Sequence, residues 1–335
     1  MRAITVDAPG GPEALRLTER PKPDARPGHV VLKVAAVGVC GQDQAVRAGL
    51  VRVDLPIVPG HEIAGEVVDA PKGSRFRQGE RVASKQFATC ESCGPCRSGR
   101  DVDCQDRVHV YGGYAEFVAV AESALLAVPE GISLPEAAVV ACAIGTAVQA
   151  LTSIARLVPG EFVAITGAGG GLGAHALQVA RALGGRPIAV SSSPGKVDQL
   201  KRLGAESVID PRADTFQEAM LDATNGVGPQ VVLDNVGHPD VFRPCFRSLG
   251  HRGRYVFMGQ IKRAQINLFP AFVVHKEAVL TGSASTSRPS FAAAMELVRA
   301  RTVRPIVTAF PLEEAARAHA LMDDRQIFGR AVLIP

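Results

Sequence analysis

The chain has 335 residues, of which 47% are hydrophobic and 21% charged, as in a globular protein large enough for two domains. The formal net charge is only +4 and the basic residues are scattered, so composition does not suggest a nucleic-acid partner. No apolar run reaches membrane-spanning length without an interrupting Gly, Pro or charge, and the N-terminal stretch has no apolar signal core. We therefore expect a cytoplasmic protein that acts on a small molecule, without a membrane or nucleic acid as partner.

The first 120 or so residues are rich in short predicted strands. Three segments are β-branched and apolar, with Pro and Gly turns between them: Val30–Val37, Ile63–Val68 and Tyr114–Val120. Short strands separated by tight turns predict antiparallel structure in this part of the chain.

Four of the seven cysteines crowd into one short loop within this region, namely Cys90, Cys93, Cys96 and Cys104. The spacing C-x2-C-x2-C-x7-C allows the thiolates to converge on one tetrahedral ion. Four sulfurs would close the coordination sphere and leave no place for water, so the spacing predicts a structural zinc. An iron–sulfur cluster and four unrelated buried thiols are the alternatives.

From Glu161 onward, predicted strands alternate with predicted helices. The strands are Phe162–Thr166, Pro187–Val190, Ser207–Ile209, Gln230–Leu233 and Arg254–Met258. The helices are about Leu172–Leu183, Lys196–Leu203 and Asp214–Ala223. This alternation predicts a parallel, doubly wound sheet. A further helix at about Pro289–Ala300 begins a C-terminal segment that is expected to return to the first domain.

A glycine-rich loop joins the first strand of this region to its helix. The loop has the sequence T-G-A-G-G-G-L-G and contains Gly167, Gly170, Gly171, Leu172 and Gly173. Backbone N–H groups at such a helix start can bind a pyrophosphate, and glycine lets the backbone approach it closely. The strand–loop–helix context therefore predicts a dinucleotide site, with a flexible loop that binds nothing as the alternative.

The residues after the second strand bear on the choice of nicotinamide cofactor. An NAD site places Asp or Glu there to bond the ribose 2′-hydroxyl. This chain instead has Ser191, Ser192 and Lys196, with no carboxylate before Asp198. Hydroxyls and an ammonium group suit a 2′-phosphate, which favours NADP(H) over NAD(H). Ser and Pro are also ordinary residues for the start of a helix, so a purely structural role is the alternative.

The order of motifs resembles the zinc-containing medium-chain dehydrogenase/reductase family, the alcohol dehydrogenase family, over nearly the whole chain. The segments that carry the resemblance are V-C-G-Q-D at 39–43, P-G-H-E-I-A-G at 59–65, G-E-R-V at 79–82, G-G-Y-A-E at 112–116 and A-C-A-I-G-T at 141–146. Within the family, the glycine loop and the following A-H-A-L-Q-V-A at 174–180 are most similar to the acryloyl-CoA-reductase-like and quinone-reductase-like branch.

The resemblance implies an α/β protein with two domains. A GroES-like β-barrel catalytic domain would comprise 1–144 and 285–335, and a doubly wound Rossmann domain that binds NAD(P) would comprise 145–284. The resemblance also implies a homodimer or homotetramer. Beyond the glycine loop and Ser191, Ser192 and Lys196, it implies further cofactor-binding residues: Thr146, Asn235, Gly259 and Arg330.

The resemblance further implies a second zinc, bound at the active site by Cys40, His61 and Cys142, with Glu62 as a nearby and sometimes ligating carboxylate. Two thiolates and one imidazole leave a fourth position for water or a substrate oxygen, as a catalytic zinc requires. The chain would then bind two Zn²⁺ ions, and only Cys245 would be left without a metal.

Gln42 departs from the pattern of the family's alcohol dehydrogenases, which have Ser or Thr at this position to relay the alcohol proton. A carboxamide is not an equivalent acid or base, and Ala45 cannot replace a downstream histidine relay. The main prediction is a zinc-dependent alcohol dehydrogenase or carbonyl reductase that transfers hydride between NADP(H) and an alcohol, ketone or aldehyde. The alternative is NADPH-dependent reduction of a C=C bond conjugated to a carbonyl, in an enone or an enoyl-CoA such as acryloyl-CoA. A non-catalytic NADP(H)-binding protein is a minor alternative.

Overall fold

A computed structural model describes residues 1–260 and 264–335, and packing divides the chain into two compact units. The first unit comprises Met1–Gly145, Ser285–Arg301 and Pro305–Pro335. The second comprises Thr146–Ala284 and Thr302–Arg304. The sequence prediction placed all of 285–335 in the first domain. Arg304 instead exchanges two hydrogen bonds with the Gln178 side chain, of 2.9 and 3.0 Å, which tie this short segment to the second unit.

The described residues contain seventeen strands of 2 to 10 residues. In chain order they are β1 (Arg2–Val6), β2 (Leu15–Glu19), β3 (His29–Gly38), β4 (Glu62–Asp69), β5 (Arg81–Ser84), β6 (Phe87–Ala88), β7 (Val108–His109), β8 (Phe117–Ala121), β9 (Leu125–Ala127), β10 (Phe162–Thr166), β11 (Arg186–Val190), β12 (Ser207–Ile209), β13 (Val231–Asp234), β14 (Arg254–Phe257), β15 (Val279–Gly282), β16 (Val307–Pro311) and β17 (Arg330–Ile334).

Both units contain short helices, and the longest, α5 in the second unit and α10 in the first, each have 12 residues. In chain order the α-helices are α1 (Gly41–Arg47), α2 (Gly94–Arg97), α3 (Leu134–Ala138), α4 (Thr146–Gln149), α5 (Gly171–Ala182), α6 (Val197–Arg202), α7 (Phe216–Asp222), α8 (Pro239–Ser248), α9 (Pro270–Lys276), α10 (Arg288–Arg299) and α11 (Ala315–Asp323). The 3₁₀ turns are Pro12–Ala14, Asp101–Asp103, Glu122–Ala124, Pro194–Lys196 and Leu312–Glu314, and the π-helical segments are Val140–Gly145 and Ala150–Ile154. Among the described residues, none of these helices is both long and apolar enough to cross a membrane.

Among the described residues, the first unit is built on a seven-stranded sheet in the order β16-β17-β3-β4-β5-β9, with β8 also paired to β3. Its pairings are antiparallel except for that of β16 with β17. The central strand β3 reads HVVLKVAAVG, and Val30, Leu32 and Val37 on it are fully buried in the core of this unit. This sheet confirms the prediction of a GroES-like β-barrel architecture.

One predicted strand of the first unit begins later than expected. Tyr114, predicted as the first residue of a strand, lies in a turn, and β8 begins at Phe117. The backbone N–H of Tyr114 donates to the carbonyl of Pro59, and its own carbonyl accepts from Ile4. The preceding glycine pair therefore leads Tyr114 away from the β3 ladder, and its ring becomes part of the core instead.

The second unit forms, among its described residues, a six-stranded parallel sheet in the order β12-β11-β10-β13-β14-β15. Numbered within the unit, this is the order 3-2-1-4-5-6 of a Rossmann fold, which confirms the predicted doubly wound sheet. The strands are buried apolar runs, as expected when helices cover both faces of a parallel sheet. The carboxyl ends of β10, β11, β13 and β14 therefore share one edge.

Candidate active site and metal centres

The four cysteines of the loop lie together in the first unit. The sulfurs of Cys90, Cys93, Cys96 and Cys104 are all within 4.8 Å of one another. Cys90 Sγ lies 3.9 Å from Cys96 Sγ and 3.6 Å from Cys104 Sγ, and the N–H of Cys93 donates to Cys90 Sγ. All seven cysteines of the chain are free. Four converging sulfurs, unlinked by disulfides, are the donor set of a closed tetrahedral zinc site.

Hydrogen bonding prepares this loop to bind a cation. Donors from the backbone and side chain of Ser92, and from Cys93, lower the pKa of Cys90 to about 6. Burial and the neighbouring thiols raise the pKa of Cys96 to about 12. One sulfur is thus a thiolate at neutral pH, whereas a crowded neighbour keeps its proton until a cation replaces it.

Ion pairs anchor the cysteine loop to the rest of the first unit. Lys85 and Asp101 form a buried ion pair, and Asp101 also accepts a 2.8 Å hydrogen bond from the backbone of Arg288 at the start of α10. On the exposed side, Arg75 pairs with Glu91 at 2.9 Å. The loop is therefore held by charges as well as by its cysteines.

A second cluster of possible metal ligands is assembled from three distant segments. Cys40, His61, Glu62 and Cys142 bring one ligand atom each within 4.8 Å of the others. Cys40 immediately precedes α1, and Cys142 lies in the π-helical segment Val140–Gly145. Glu62 begins β4, and His61 is the residue before it. The two sulfurs are 3.7 Å apart. The structure thus brings together all four residues that the family resemblance implied.

Local backbone features place these ligands. Gly60 has a φ of +93° and faces the ring of Tyr114, where any Cβ would overlap the ring, so the turn before His61 requires glycine. The segment around Cys142 does not follow an α-helix. It makes the wide turn of a π-helix, a rare conformation often found at functional sites.

The second cluster contains buried polar atoms that lack partners. His61 Nε2 and both carboxyl oxygens of Glu62 are buried and have no hydrogen-bond partner among the described residues, whereas His61 Nδ1 faces Asp43 Oδ1 at 3.3 Å. Such atoms are costly and call for a ligand. Burial raises the pKa of Glu62 to about 8. The hydrogen bond with Cys142 lowers the pKa of Cys40 well below its usual value, and the same bond raises that of Cys142. Two sulfurs, an imidazole and a carboxyl group fit a zinc ion.

Arg330, which was predicted to bind the cofactor, is buried in the first unit at the start of β17. Its Nη2 lies 3.4 Å from Glu62 Oε1, and its Nη1 donates to the carbonyl of Val39. The guanidinium is therefore the nearest counter-charge of the ligand cluster in the first unit.

Asp43 is a residue of this site that the sequence analysis left without a role. It is fully buried and accepts hydrogen bonds from the backbone N–H groups of Cys40, at 2.9 Å, and Gly60, at 3.1 Å. Its Oδ1 also lies 3.3 Å from His61 Nδ1. The spacing of an acidic residue three positions after the one preceding α1 is a helix-capping signal that could have identified it.

Gln42, which stands where the family's alcohol dehydrogenases have a hydroxyl, acts on one member of an aromatic pair that the sequence analysis also missed. The Gln42 side chain lowers the pKa of the half-buried Tyr111 hydroxyl, against a larger rise caused by burial. The Tyr111 ring stacks on His109 with centroids 4.3 Å apart, and His109 meets His61 edge-on at 5.6 Å. Burial raises the pKa of Tyr111, so its hydroxyl keeps its proton at neutral pH.

In the second unit, most of the predicted cofactor residues follow the strands that end at one edge of the sheet. These residues are Gly167, Gly170, Gly171, Leu172 and Gly173 after β10, Ser191, Ser192 and Lys196 after β11, Asn235 after β13 and Gly259 after β14. A Cβ at Gly173 would overlap the carbonyl of Gly167, so the loop can only turn into α5 this tightly with glycine there. The edge is the expected place for a dinucleotide in such a sheet.

Polar groups at this edge are available to a ligand. Asn235 donates to the carbonyl of Thr166 at 2.8 Å, whereas its own Oδ1 is buried without a hydrogen-bond partner in the described parts of the chain. The hydroxyl of Thr146, at the start of α4, is also buried without a hydrogen-bond partner among the described residues. Lys196 Nζ lies 3.3 Å from the carbonyl of Gly169 in the glycine loop. These donors and acceptors fit a nicotinamide dinucleotide.

Arg212 is a further cation at this edge that the sequence analysis did not name. Its Nη2 donates to the carbonyl of Ser192 at 2.9 Å, and Asp210 holds the guanidinium from the other side at 2.6 Å. It follows the third strand of the unit rather than the second, so a search confined to the residues after β11 could not find it.

Comparisons with known proteins agree with this architecture. A family model described as an alcohol dehydrogenase GroES-like domain matches residues 26–130, and one described as a zinc-binding dehydrogenase matches residues 171–300. The acryloyl-coenzyme A reductase of Metallosphaera sedula is 30% identical over 99% of both chains. The crystal structure of AibC is 37% identical with a TM-score of 0.91, covering 100% of this chain and 96% of that one. An NAD-dependent alcohol dehydrogenase structure is 29% identical with a TM-score of 0.94 over 100% of both chains. The chain therefore belongs to the zinc-containing medium-chain dehydrogenase/reductase family of oxidoreductases.

Proposed function

We propose that this protein is a zinc-dependent carbonyl reductase or alcohol dehydrogenase that uses NADP(H). The observation that carries the proposal is the convergence of Cys40, His61 and Cys142, in which the buried His61 Nε2 has no hydrogen-bond partner among the described residues. When bound, zinc would supply a Lewis acid for a substrate oxygen, and the nicotinamide would give or take a hydride. We further propose that the four-cysteine loop holds a second, structural zinc.

Tyr111 and Gln42 would handle the proton in this reaction. The Tyr111 hydroxyl keeps its proton at neutral pH, since burial raises its pKa further above neutrality, and the Gln42 carboxamide acts on this hydroxyl. A phenol can give a proton to an alkoxide and take it back from an alcohol, whereas a carboxamide cannot. Tyr111 would therefore supply the hydroxyl that position 42 lacks, and stacking on His109 would hold its ring in place.

Reduction of a conjugated C=C bond is the second candidate. It is favoured by Gln42 itself and by the similarity to an acryloyl-coenzyme A reductase. Hydride addition to an enone or enoyl thioester produces an enolate, whose negative oxygen needs electrostatic stabilisation. Water would then protonate its α carbon, so no hydroxyl relay at the metal ligand is required. Gln42 could then donate from its amide nitrogen to the substrate carbonyl.

A screen of NADPH oxidation separates the two candidates. The purified protein would be given ketones and aldehydes in one series, and enones and enoyl-CoA thioesters in the other, with zinc content measured on the same preparation. We expect turnover of carbonyl substrates and about two zinc ions per chain. Turnover of enoyl substrates alone would reject the carbonyl reductase, and no turnover in either series, with NADPH bound, would support a non-catalytic protein.

The proposed preference for NADP(H) over NAD(H) rests on the polar residues at the carboxyl edge of the sheet. These are the hydroxyls of Ser191 and Ser192 and the cations Lys196 and Arg212. Replacing Arg212 with Gln should weaken NADPH binding about tenfold, since a charge-assisted hydrogen bond to the 2′-phosphate is lost, and should leave NADH binding unchanged. Arg186→Gln is the matched control, because Arg186 also forms an exposed ion pair but lies at the opposite end of β11. A wild-type preference for NADH would contradict the proposal.

A further inference from the structure

A network of buried, hydrogen-bonded side chains connects the candidate metal ligand His61 to helix α11 within the first unit. It consists of Asp43, Tyr114, His319 and Arg47. The first three of these are fully buried, and Arg47 is nearly so. Buried side chains of this kind stay only where their hydrogen bonds are made, so the direction of each bond can be worked out.

Arg47, the member of the network farthest along from His61, determines the direction of these hydrogen bonds. The guanidinium of Arg47 can only donate, and its Nη1 lies 3.2 Å from His319 Nδ1, so Nδ1 must accept. Burial lowers the pKa of His319 to about 4, so the ring is neutral and carries its single proton on Nε2. His319 Nε2 therefore donates to the hydroxyl oxygen of Tyr114, 3.0 Å away.

The directions of the hydrogen bonds near His61 follow from those at Arg47 and His319. Because the hydroxyl oxygen of Tyr114 accepts from His319, its proton is directed to Asp43 Oδ2, at 3.4 Å. Asp43 also accepts from two backbone N–H groups, so every other neighbour of this carboxylate is a donor. His61 Nδ1, 3.3 Å from Asp43 Oδ1, is then the protonated nitrogen, and Nε2 keeps its lone pair.

We propose that Tyr114 and His319 are positioning residues that act through Asp43. They keep its carboxylate turned to His61 Nδ1 and so present His61 Nε2 to the sulfurs of Cys40 and Cys142. Arg47 is itself held in place, because its guanidinium donates a 2.9 Å hydrogen bond to Asp323. This inference rests on the proposed catalytic zinc, and it adds two residues that are distant in sequence from every ligand.

Tyr114→Phe tests the proposal with a matched control. The variant loses the hydroxyl that donates to Asp43 but keeps the ring that packs against Gly60. Tyr255→Phe is the control, because Tyr255 is also fully buried and donates to a buried carboxylate, Asp234 at 2.8 Å, in the second unit. The readout is zinc release to a chromogenic chelator from protein loaded with two ions.

We expect Tyr114→Phe to release one of its two zinc ions about tenfold faster than wild type, at the lower end of the effect of removing a residue behind a metal ligand. The other ion should leave at the wild-type rate, since the four-cysteine loop is not part of the network. Tyr255→Phe should release both ions at wild-type rates. Equal release from Tyr114→Phe and wild type would overturn the proposal.

A second pair of variants tests His319 itself. Glutamine can accept from Arg47 through its oxygen and donate to Tyr114 through its nitrogen, whereas leucine can do neither. His319→Gln should therefore retain near-wild-type zinc release, and His319→Leu should resemble Tyr114→Phe. Fast release from both would contradict the directed network. A wild-type protein that binds one zinc would instead reject the proposed catalytic metal site, which distinguishes that failure from this one.

Discussion

The two clusters of metal ligands in the first unit differ in how the chain assembles them. The four sulfurs of the cysteine loop come from one stretch, Cys90 to Cys104, whose turns are local. The second cluster combines Cys40, His61, Glu62 and Cys142, which lie on separate elements. The first therefore needs only its own loop, whereas the second exists only once the sheet and the π-helical segment have formed.

The clusters also differ in what surrounds them. The cysteine loop is half-exposed, and ion pairs such as that of Lys85 with Asp101 fasten it to its neighbours. In the second cluster, His61 and Glu62 are buried, whereas the two cysteines are partly buried. The charged residues Arg330 and Asp43 lie beside the buried pair. A site with four like ligands is suited to stability. A site with mixed ligands that are oriented by neighbouring residues is suited to catalysis.

Removing one ligand from each cluster gives the largest expected difference. Cys142→Ala should lower the zinc content to about one ion and reduce turnover by more than about 10³-fold, because electrostatic stabilisation at the reacting oxygen is lost. Cys93→Ser should instead lower the melting temperature and release the structural zinc, with the other ion retained. Zinc analysis, melting curves and kcat decide the comparison. A Cys142→Ala protein with two zinc ions and full activity would refute the ligand assignment.

The anchor of the cysteine loop should affect stability alone. Asp101→Asn removes the partner of the buried Lys85, and leaving one buried charge unpaired should lower the free energy of unfolding by about 3 kcal/mol. The kcat of the folded variant should stay at the wild-type value. Glu206→Gln breaks an exposed pair and should leave stability unchanged. Urea denaturation measures both, and a large fall in kcat for Asp101→Asn would erase the distinction between the two clusters.

Tyr111→Phe probes the chemistry of the second cluster without touching a ligand. If Tyr111 supplies the proton, kcat for carbonyl reduction should fall about 100-fold, which is typical of a lost general acid. Zinc content and NADPH affinity should stay unchanged, because the ring and its stacking on His109 remain. An unchanged kcat would favour C=C reduction, in which water protonates the α carbon of the enolate and no hydroxyl beside the metal is needed.

Much of the fold could be predicted because it follows from local patterns. The alternation of apolar strands and helices after Glu161 predicted the parallel sheet, and the helix predicted at Leu172–Leu183 is observed as α5 one residue earlier. The cysteine spacing likewise named four residues that converge. In each case the signal lies within a few residues of the feature it predicts.

What the sequence did not predict depends on distant contacts. Tyr114 is 71 residues from Asp43 and 205 residues from His319, and no local pattern links the three. The π-helical turn at Cys142 and the guanidinium of Arg212 beside Ser192 have no local signature either. Such features form only when separate elements pack together, which is why they concentrate around the second cluster and the cofactor edge.

His319 allows the smallest expected effect to be measured directly. Its pKa is about 4 in the folded protein and about 6.5 in the unfolded chain, because burial disfavours the charged ring. Between these values the unfolded chain binds more protons, so stability falls as the pH is lowered through this window. From pH 7 to pH 5 the contribution of His319 to the free energy of unfolding should decrease by about 2 kcal/mol.

The difference between wild type and His319→Gln isolates this contribution, because other titrating groups are shared and largely cancel. Urea unfolding of the zinc-free proteins at pH 7, 6 and 5 should show a smaller loss of stability for the variant, by about 2 kcal/mol at the lowest pH. Zinc-free protein is required, since protonation of the ligands would otherwise release the metal over the same range. A pH-independent difference would mean that the pKa of His319 is the same in the folded and the unfolded protein, so that burial does not keep the ring neutral. The folded ring would then take up a second proton as readily as an exposed one, which a guanidinium facing Nδ1 does not allow, and the bond directions toward His61 would have to be reassigned.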